Sequence, residues 1–351
     1  MLRLSLWPRL ILMVSLSLAG LPARAQTEAP PAPAANVIPE VAADTSAGQA
    51  PLLDTILVTG QRPGPGLWKV SKGDHVLWVF GTYGPLPKNM EWRSQQVESI
   101  LAQSQEYLQP PGAHAEVGWL KQAAMLPFAI GFKKSPDGAR LKDLVPEPVY
   151  ARWLVLKAKY LGDDDGVERE RPIFAAATLY DKAIKQAGLY EGELGRSLGK
   201  LIKQSGIKQT STQVQLEVDD PVTMLREFKK TPLEDATCFS NTLARLEEDI
   251  DAMRVRANAW ARGDLAAIEK LSYADRRGAC NAAVLNSAVM QNRPGMRSIE
   301  ARMQERWLAA AEKSLAANVS TFATLSLNDL LDPKGYMAAL QARGYVVEKP
   351  E

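Results

Sequence analysis

Val76-Leu77-Trp78-Val79-Phe80 is an unbroken run of apolar, strand-forming residues. A strand with no polar face must be covered on both sides, as in the centre of a sheet. Before it stand Leu67-Trp68-Lys69-Val70 and a polar turn, Ser71-Lys72-Gly73-Asp74, so the two runs read as a hairpin. Gly81-Thr82-Tyr83-Gly84 follows at the strand's C-terminal end. Glu106-Tyr107-Leu108 is a further short strand candidate, stopped by Pro110-Pro111. The remaining strand signals lie at the far end of the chain, over Asn318–Leu325 and Tyr345–Val347.

Between the two ends the pattern is helical. Trp92–Gln105 places Val97, Ile100, Leu101 and Ser104 on one face. Gly118–Phe132 is apolar, with Pro127 predicting a kink or break. Pro146–Leu161 and Pro172–Ala187 each start at a proline, a favoured first helical residue. Thr231–Trp260 contains a long amphipathic stretch through Leu243, Leu246, Ile250 and Met253. Asp264–Leu271, Pro294–Ala317 and Pro333–Arg343, the last capped by Gly344, complete the helices. The expected fold is α/β (α+β): a small central β-sheet built from N- and C-terminal strands, surrounded by many α-helices. A single domain is expected over residues 63–351.

The start of the chain has another character. Arg3 and Arg9 precede a short apolar run from Leu10 to about Gly20, and Ala23-Arg24-Ala25 is a small-x-small cleavage site. Residues 1–25 therefore read as a secretory signal peptide. Their apolar run is shorter than the ~20 residues that span a bilayer, and no later stretch is long and apolar enough to cross one. Residues 26–62 read as a flexible linker, Pro/Ala-rich through Pro51 and poor in large apolar groups. These features predict export to the periplasm or beyond. The net charge of +2 belongs to the leader: Arg3, Arg9 and Arg24 face no acid there, and without them the balance is −1. Nothing in the body's charge points to nucleic acid.

Export permits disulfides. Cys238 and Cys280 are the only cysteines, and an even pair in an oxidising compartment favours a bridge over two buried thiols. With two His and two Cys in 351 residues, little material exists for a metal site of the usual nitrogen and sulfur ligands. No HExxH, GxSxG, Walker A or GxGxxG pattern occurs. His75 reads as a turn residue and His114 as a loop residue. Asp163-Asp164-Asp165-Gly166 reads as a solvated acidic turn, because it lacks the alternating ligands and closing Glu of a calcium loop. Glu168-Arg169-Glu170-Arg171 reads as a helix-start charge cluster. Glu247-Glu248-Asp249 with Arg245 and Arg254 reads as a solvated helix face.

Four segments together resemble the TraB/GumN family (TraB/PrgY/GumN), which includes the Tiki-type proteases. They are Gly66–Thr82 with Leu86-Pro87 and Trp92-Arg93, then Ala259–Leu265, then Glu305-Arg306-Trp307, and Phe322–Val347 with the ending Leu340-Gln341-Ala342-Arg343-Gly344-Tyr345-Val346-Val347. The resemblance implies a metal-dependent hydrolase scaffold, with two His and a Glu gathered at the ends of the core strands. A divalent ion there would lower the pKa of a bound water.

This sequence departs from the pattern at each ligand. Gly81 of the first motif is present, but Gly84 stands where the first His belongs. The Glu after the first helix falls at Gln109 or Pro110, and Asp329 stands where the second His belongs. Arg306 is present. These departures imply no catalytic residues and no cofactor. The expected function is an exported, inactive TraB/GumN-like binding or accessory module. Its expected partner is a protein, a peptide or a polysaccharide-export component of the cell envelope.

Two alternatives stand beside it. One is a divergent metal-dependent peptidase with Mn, Co or Zn in a rebuilt site. That site would use Asp329 as a weak metal candidate, with Asp332 and Glu106 or Glu98, or would lie near Tyr83, Asp329 and Arg306. Against it, Asp329 and Asp332 precede Pro333 and a helix, where Asp is favoured as a cap. The other is a structural envelope component with the Pro/Ala tract as its spacer.

Overall fold

A computed structural model describes residues 64–248, 250–270 and 276–350. The expected signal peptide (1–25) and linker (26–62) lie outside the described residues. The hairpin is formed by β1 (Leu67–Lys72) and β2 (His75–Thr82). Then come β3 (Leu86–Pro87), α1 (Gln95–Gln103), β4 (Glu106–Leu108) and β5 (Gly112–Ala115). The middle of the chain carries α2 (Trp119–Ala129), α3 (Leu141–Leu144), α4 (Glu147–Tyr160), α5 (Pro172–Gln186), β6 (Leu189–Tyr190), α6 (Glu193–Ser205), β7 (Lys208–Thr210) and β8 (Gln213–Leu216). Helices follow: α7 (Pro221–Lys230), α8 (Ala236–Glu248), α9 (Ile250–Ala261), α10 (Leu265–Lys270), α11 (Arg276–Leu285), α12 (Ala288–Gln291) and α13 (Ile299–Ala317). The chain closes with β9 (Ser320–Ser326), α14 (Leu327–Leu331), α15 (Tyr336–Ala342) and β10 (Val346–Glu348).

The fold is mixed α/β around a six-stranded sheet of order β10-β1-β2-β9-β4-β7. β2 lies at its centre, antiparallel to β1 and parallel to β9, with Trp78 between Lys69 and Phe322. The two ends of the chain thus meet in one sheet, as the apolar run requires. β4 and β7 extend it from mid-chain, both parallel in sense to β9. β7 carries Lys208-Gln209-Thr210, a polar triplet without an apolar run, which explains why it gives no strand signal.

Trp68, Leu77, Val79, Phe80, Trp260, Trp307 and Phe322 form the buried centre around this sheet. Gly81 belongs to that packing. A Cβ there would lie 2.8 Å from both Trp68 and Leu327, and its carbonyl accepts the Trp260 indole N–H at 2.8 Å. A second cluster, with Trp153, Leu179, Phe239 and Leu243, joins α4, α5 and α8.

Several expectations are corrected. Pro127 does not break α2, because it removes one backbone bond in the helix's last turn. The apolar stretch around it lies at the surface: α2 has no buried residue, and Trp119, Leu120, Leu126 and Ile130 are exposed. The stretch 294–317 is a short 3-10 turn followed by α13, since Ser298 takes φ 52° at the junction. The charge cluster at 168–171 is partly internal. Buried Glu168 accepts the Trp153 indole N–H at 2.8 Å. Buried Arg171 donates to the carbonyls of Phe228, Lys229 and Thr231, where a cation also meets the negative end of α7.

Cys238 on α8 and Cys280 on α11 form a disulfide. It closes a sequence separation of 42 residues, which the chain-entropy account converts to about 4 kcal/mol. A Cys238→Ala/Cys280→Ala variant is expected to lose stability on that scale in denaturant unfolding. Equal midpoints and slopes for the two proteins would show that the bridge adds nothing to the folded state.

Candidate functional site

The strands β2, β9, β4 and β7 run in the same direction, so their C-terminal ends emerge on one side. In open sheets of this kind ligands bind beyond the carboxyl ends of the strands. A cleft of about 1050 Å³ lies there. Thr82, Tyr83 and Gly84 from the end of β2, Gln109 after β4, and Ser326, Leu327 and Asn328 after β9 form one side of it. Glu191 and Arg196 enter from the start of α6, Arg245 from α8, and Arg276, Arg277 and Asn281 from α11.

Tyr180 on α5 organises the far wall. Its hydroxyl donates to Glu191 Oε1 at 3.2 Å. Arg276 stacks on its ring at 3.9 Å from the centroid, and Arg245 hydrogen-bonds to it. Burial, then the Glu191 carboxylate, push the phenol pKa up, with Arg276 and Arg245 opposing. Tyr180 therefore stays protonated and remains a donor. On the near wall Tyr107 and Thr324 hydroxyls pair at 3.0 Å. Gly84 faces Glu191: a Cβ at position 84 would lie 3.1 Å from Glu191 Oε2.

The sequence-predicted positions separate here. Gly84, Gln109 and Tyr83 line the cleft. Asp329 does not. Its backbone N–H donates to Ser326 Oγ at 3.1 Å and its carboxylate accepts from that hydroxyl at 2.8 Å, so it closes the first turn of α14 as a capping pair. Asp332 accepts the Lys334 backbone N–H at the end of that helix. Arg306 is exposed on α13 and is not among the cleft residues. Glu98 is exposed and bonds Ser94. His75 Nδ1 contacts the Leu315 carbonyl, and His114 is exposed on β5. Arg245 corrects the expectation of a solvated helix face, for it is buried and turned to the cleft.

The residues that sequence reasoning missed are Tyr180, Glu191, Arg196, Arg276 and Arg277. One signal was present for the arginines. Arg245 stands two helical turns after Cys238, and Arg276 and Arg277 one turn before Cys280, so the disulfide expected there already brings them together. Glu191 carries no such signal, because its neighbour in space, Gly84, is 107 positions away in the chain.

A mixed sheet whose parallel strands open onto a ligand-sized cleft defines the class of protein. The chain belongs to the TraB/PrgY/gumN family, whose match covers residues 66–349. No curated protein and no solved structure matches it.

The donor set does not fit the divalent ion that the resemblance implies. Gly84 brings no donor, Gln109 and Asn328 bring amides, and Asp329 is engaged at a helix start. Among the described residues Glu191 is the one carboxylate that lines the cleft, in the company of four arginines. Among the described residues no group of three or more His, Cys, Asp or Glu side chains converges.

Glu106, considered above as a ligand, lies at the opposite end of the sheet. It opens β4 and accepts from the Thr210 hydroxyl, Asn318 Nδ2 (3.0 Å) and Lys208 Nζ (2.9 Å). Burial opposes its ionisation, but those three donors outweigh it and hold the carboxyl below its usual range. A carboxyl depressed on folding adds stability that is present above the unfolded pKa and is lost as pH falls through the folded one. Glu106→Gln is therefore expected to lower stability at pH 7 and to flatten its decline below about pH 4.5. Urea unfolding at a series of pH values checks this, and parallel curves for the two proteins would refute it.

Proposed function

We propose that this TraB/PrgY/gumN-family protein is an exported, catalytically inactive member that uses its strand-end cleft to bind a ligand. In this reading it serves as an accessory module of the cell envelope. The observation that carries the proposal is the lining of the cleft. The scaffold presents an open pocket at the carboxyl ends of its strands, yet amides, hydroxyls and guanidinium groups stand around it instead of metal ligands. The leader-like residues 1–25 and the disulfide both support an oxidising compartment. Among the described residues no helix is long and apolar enough to cross a membrane. The alternative, a rebuilt carboxylate site for a divalent ion, needs Asp329 in the cleft, whereas its carboxylate bonds Ser326 at the start of α14 and it is not among the cleft residues.

The test is elemental analysis of protein purified without chelator, then titration with manganese, cobalt and zinc, each followed by a peptide-hydrolysis assay. The expected result is less than stoichiometric metal and no turnover above a heat-treated control. Tight one-to-one metal binding together with peptide cleavage would overturn the inactive reading and favour the hydrolase. Fractionation of cells producing the full chain checks export separately, and retention of the uncleaved chain in the cytoplasm would refute that part.

A further inference from the structure

We propose that the outer stripe of α2, together with the basic C-terminal ends of α2 and α7, docks on the surface of a membrane containing anionic phospholipid. No residue of either helix lines the cleft, so the proposal goes beyond the reading of the cleft and does not rest on it.

The composition of α2 is the first argument. Nine of its eleven residues are apolar or proline, and the other two are Lys121 and Gln122. A helix of that composition is normally enclosed by a core or a bilayer, yet α2 has no buried residue. Trp119, Ala123, Leu126 and Ile130 follow at steps of four, three and four residues, so they form one stripe. Trp119 is 75% exposed and Ile130 77%. Phe128 stands on the opposite side, where the Arg226 guanidinium of α7 lies 4.1 Å from its ring centroid. One side of α2 thus rests on α7 while the apolar stripe meets solvent.

Charge is the second argument. Lys121 Nζ donates to the Asp219 carbonyl before α7, and Lys229 Nζ donates to the Ile130 carbonyl after α2. The two helices therefore run side by side in the same sense, and their C-terminal ends lie together. Residues 119–134 hold Lys121, Lys133 and Lys134 and no acid. Helix α7 holds Arg226, Lys229 and Lys230 with Glu227, which is ion-paired with Arg293 at 2.6 Å. Lys133 and Lys134 also act on the Glu170 carboxyl, which burial pushes above its usual range. A groove of about 610 Å³ at these ends is lined by Lys134, Arg226, Lys229 and Lys230, with Asp137 its one acid among the described residues. Ser135 lines the same groove, and its buried hydroxyl has no hydrogen-bond partner among the described residues. A headgroup phosphate suits that company of cations and hydroxyl.

The size of the stripe favours lipid over a second copy of the chain. Eleven residues of helix extend about 16 Å. One such stripe falls well short of the ~800 Å² per partner that a stable protein interface buries. A lipid surface sets no such minimum. Trp and Leu on one face with Lys and Arg beside it is the pattern of a helix lying in the interface, and anionic lipid adds attraction for each nearby cation.

Co-sedimentation of the full chain with phosphatidylcholine vesicles, and with vesicles that also contain phosphatidylglycerol, tests this. Residues 1–25 are common to every variant, so their own affinity for lipid cancels in the comparison. Trp119→Ser/Ile130→Ser should weaken binding to the mixed vesicles by at least about tenfold, the loss of two inserted apolar side chains. Lys134→Gln/Lys230→Gln should weaken it by about fivefold per lysine and leave binding to the neutral vesicles unchanged. Val155→Ser, at an apolar position of α4 that is 70% exposed, should match the wild-type chain. All five positions are exposed, and circular dichroism should report the same folded chain throughout. Equal binding by the wild-type chain and Trp119→Ser/Ile130→Ser would overturn the proposal, as would equal losses on neutral and mixed vesicles in the lysine variant. A lipid-free dimer that Trp119→Ser/Ile130→Ser abolishes would also overturn it, because a second copy would then cover the stripe.

Discussion

The parallel pairing of β2 with β9 is the contact on which the rest of the molecule depends. It joins residues near 80 to residues near 322 over seven registered positions, from Val76 opposite Ser320 to Thr82 opposite Ser326. Parallel neighbours cannot be joined by a short turn, and here the whole helical middle of the chain serves as the connection. Because β4 and β7 continue in the same sense, four strand ends open on one side. The cleft is a consequence of that direction rather than of any one loop. The same pairing buries Leu77, Val79, Phe80 and Phe322 together, so the hydrophobic contribution and the placement of the site arise from one interaction.

The centre of the sheet was legible because its chemistry is local. An unbroken apolar run admits few fates, and the polar segment before it marks the hairpin, although the turn itself is only Gly73-Asp74, with Ser71 and Lys72 already paired in β1. β9, α1 and the Cys238–Cys280 bridge were legible for similar reasons. The small elements were not. β3 pairs with β6, and β5 with β8, through segments of two to four residues whose partners are set by the surrounding helices. Helix starts also escaped: Pro294 and Pro333 both suggest a first turn, but α13 and α15 begin later, at Ile299 and Tyr336. A proline permits a helix to begin; packing decides where it does.

The cleft shows the same limit more sharply. Gly84 and Gln109 were identified as positions lacking ligands, and they do line the pocket. What replaced the ligands was invisible, since absence at one position does not say which distant side chain fills the space. Glu191 meets Gly84 through the docking of α6. Arg245 looked like one charge among many on a helix, and only its burial beside Tyr180 separates it from Arg254, which stays near the surface and bonds Asp251 and the Ala187 carbonyl. Periodicity gives the face of a helix but not the neighbour that the face meets.

Scaffold and lining answer to different physical demands here. Gly81 is fixed by Trp68, Leu327 and the Trp260 indole, all of which belong to the core. Asp329 is fixed by its exchange with Ser326, which starts α14. Neither position needs a bound ion in order to fold. The charged groups that line the cleft come from α6, α8 and α11 and, for Glu191, from just before α6, outside the central sheet. Changing them alters the charge of the pocket while leaving the β2–β9 pairing untouched. A family framework and a pocket whose charged lining comes from outside the sheet are therefore compatible in one chain: the strands place the cleft, and the helical wall sets its charge.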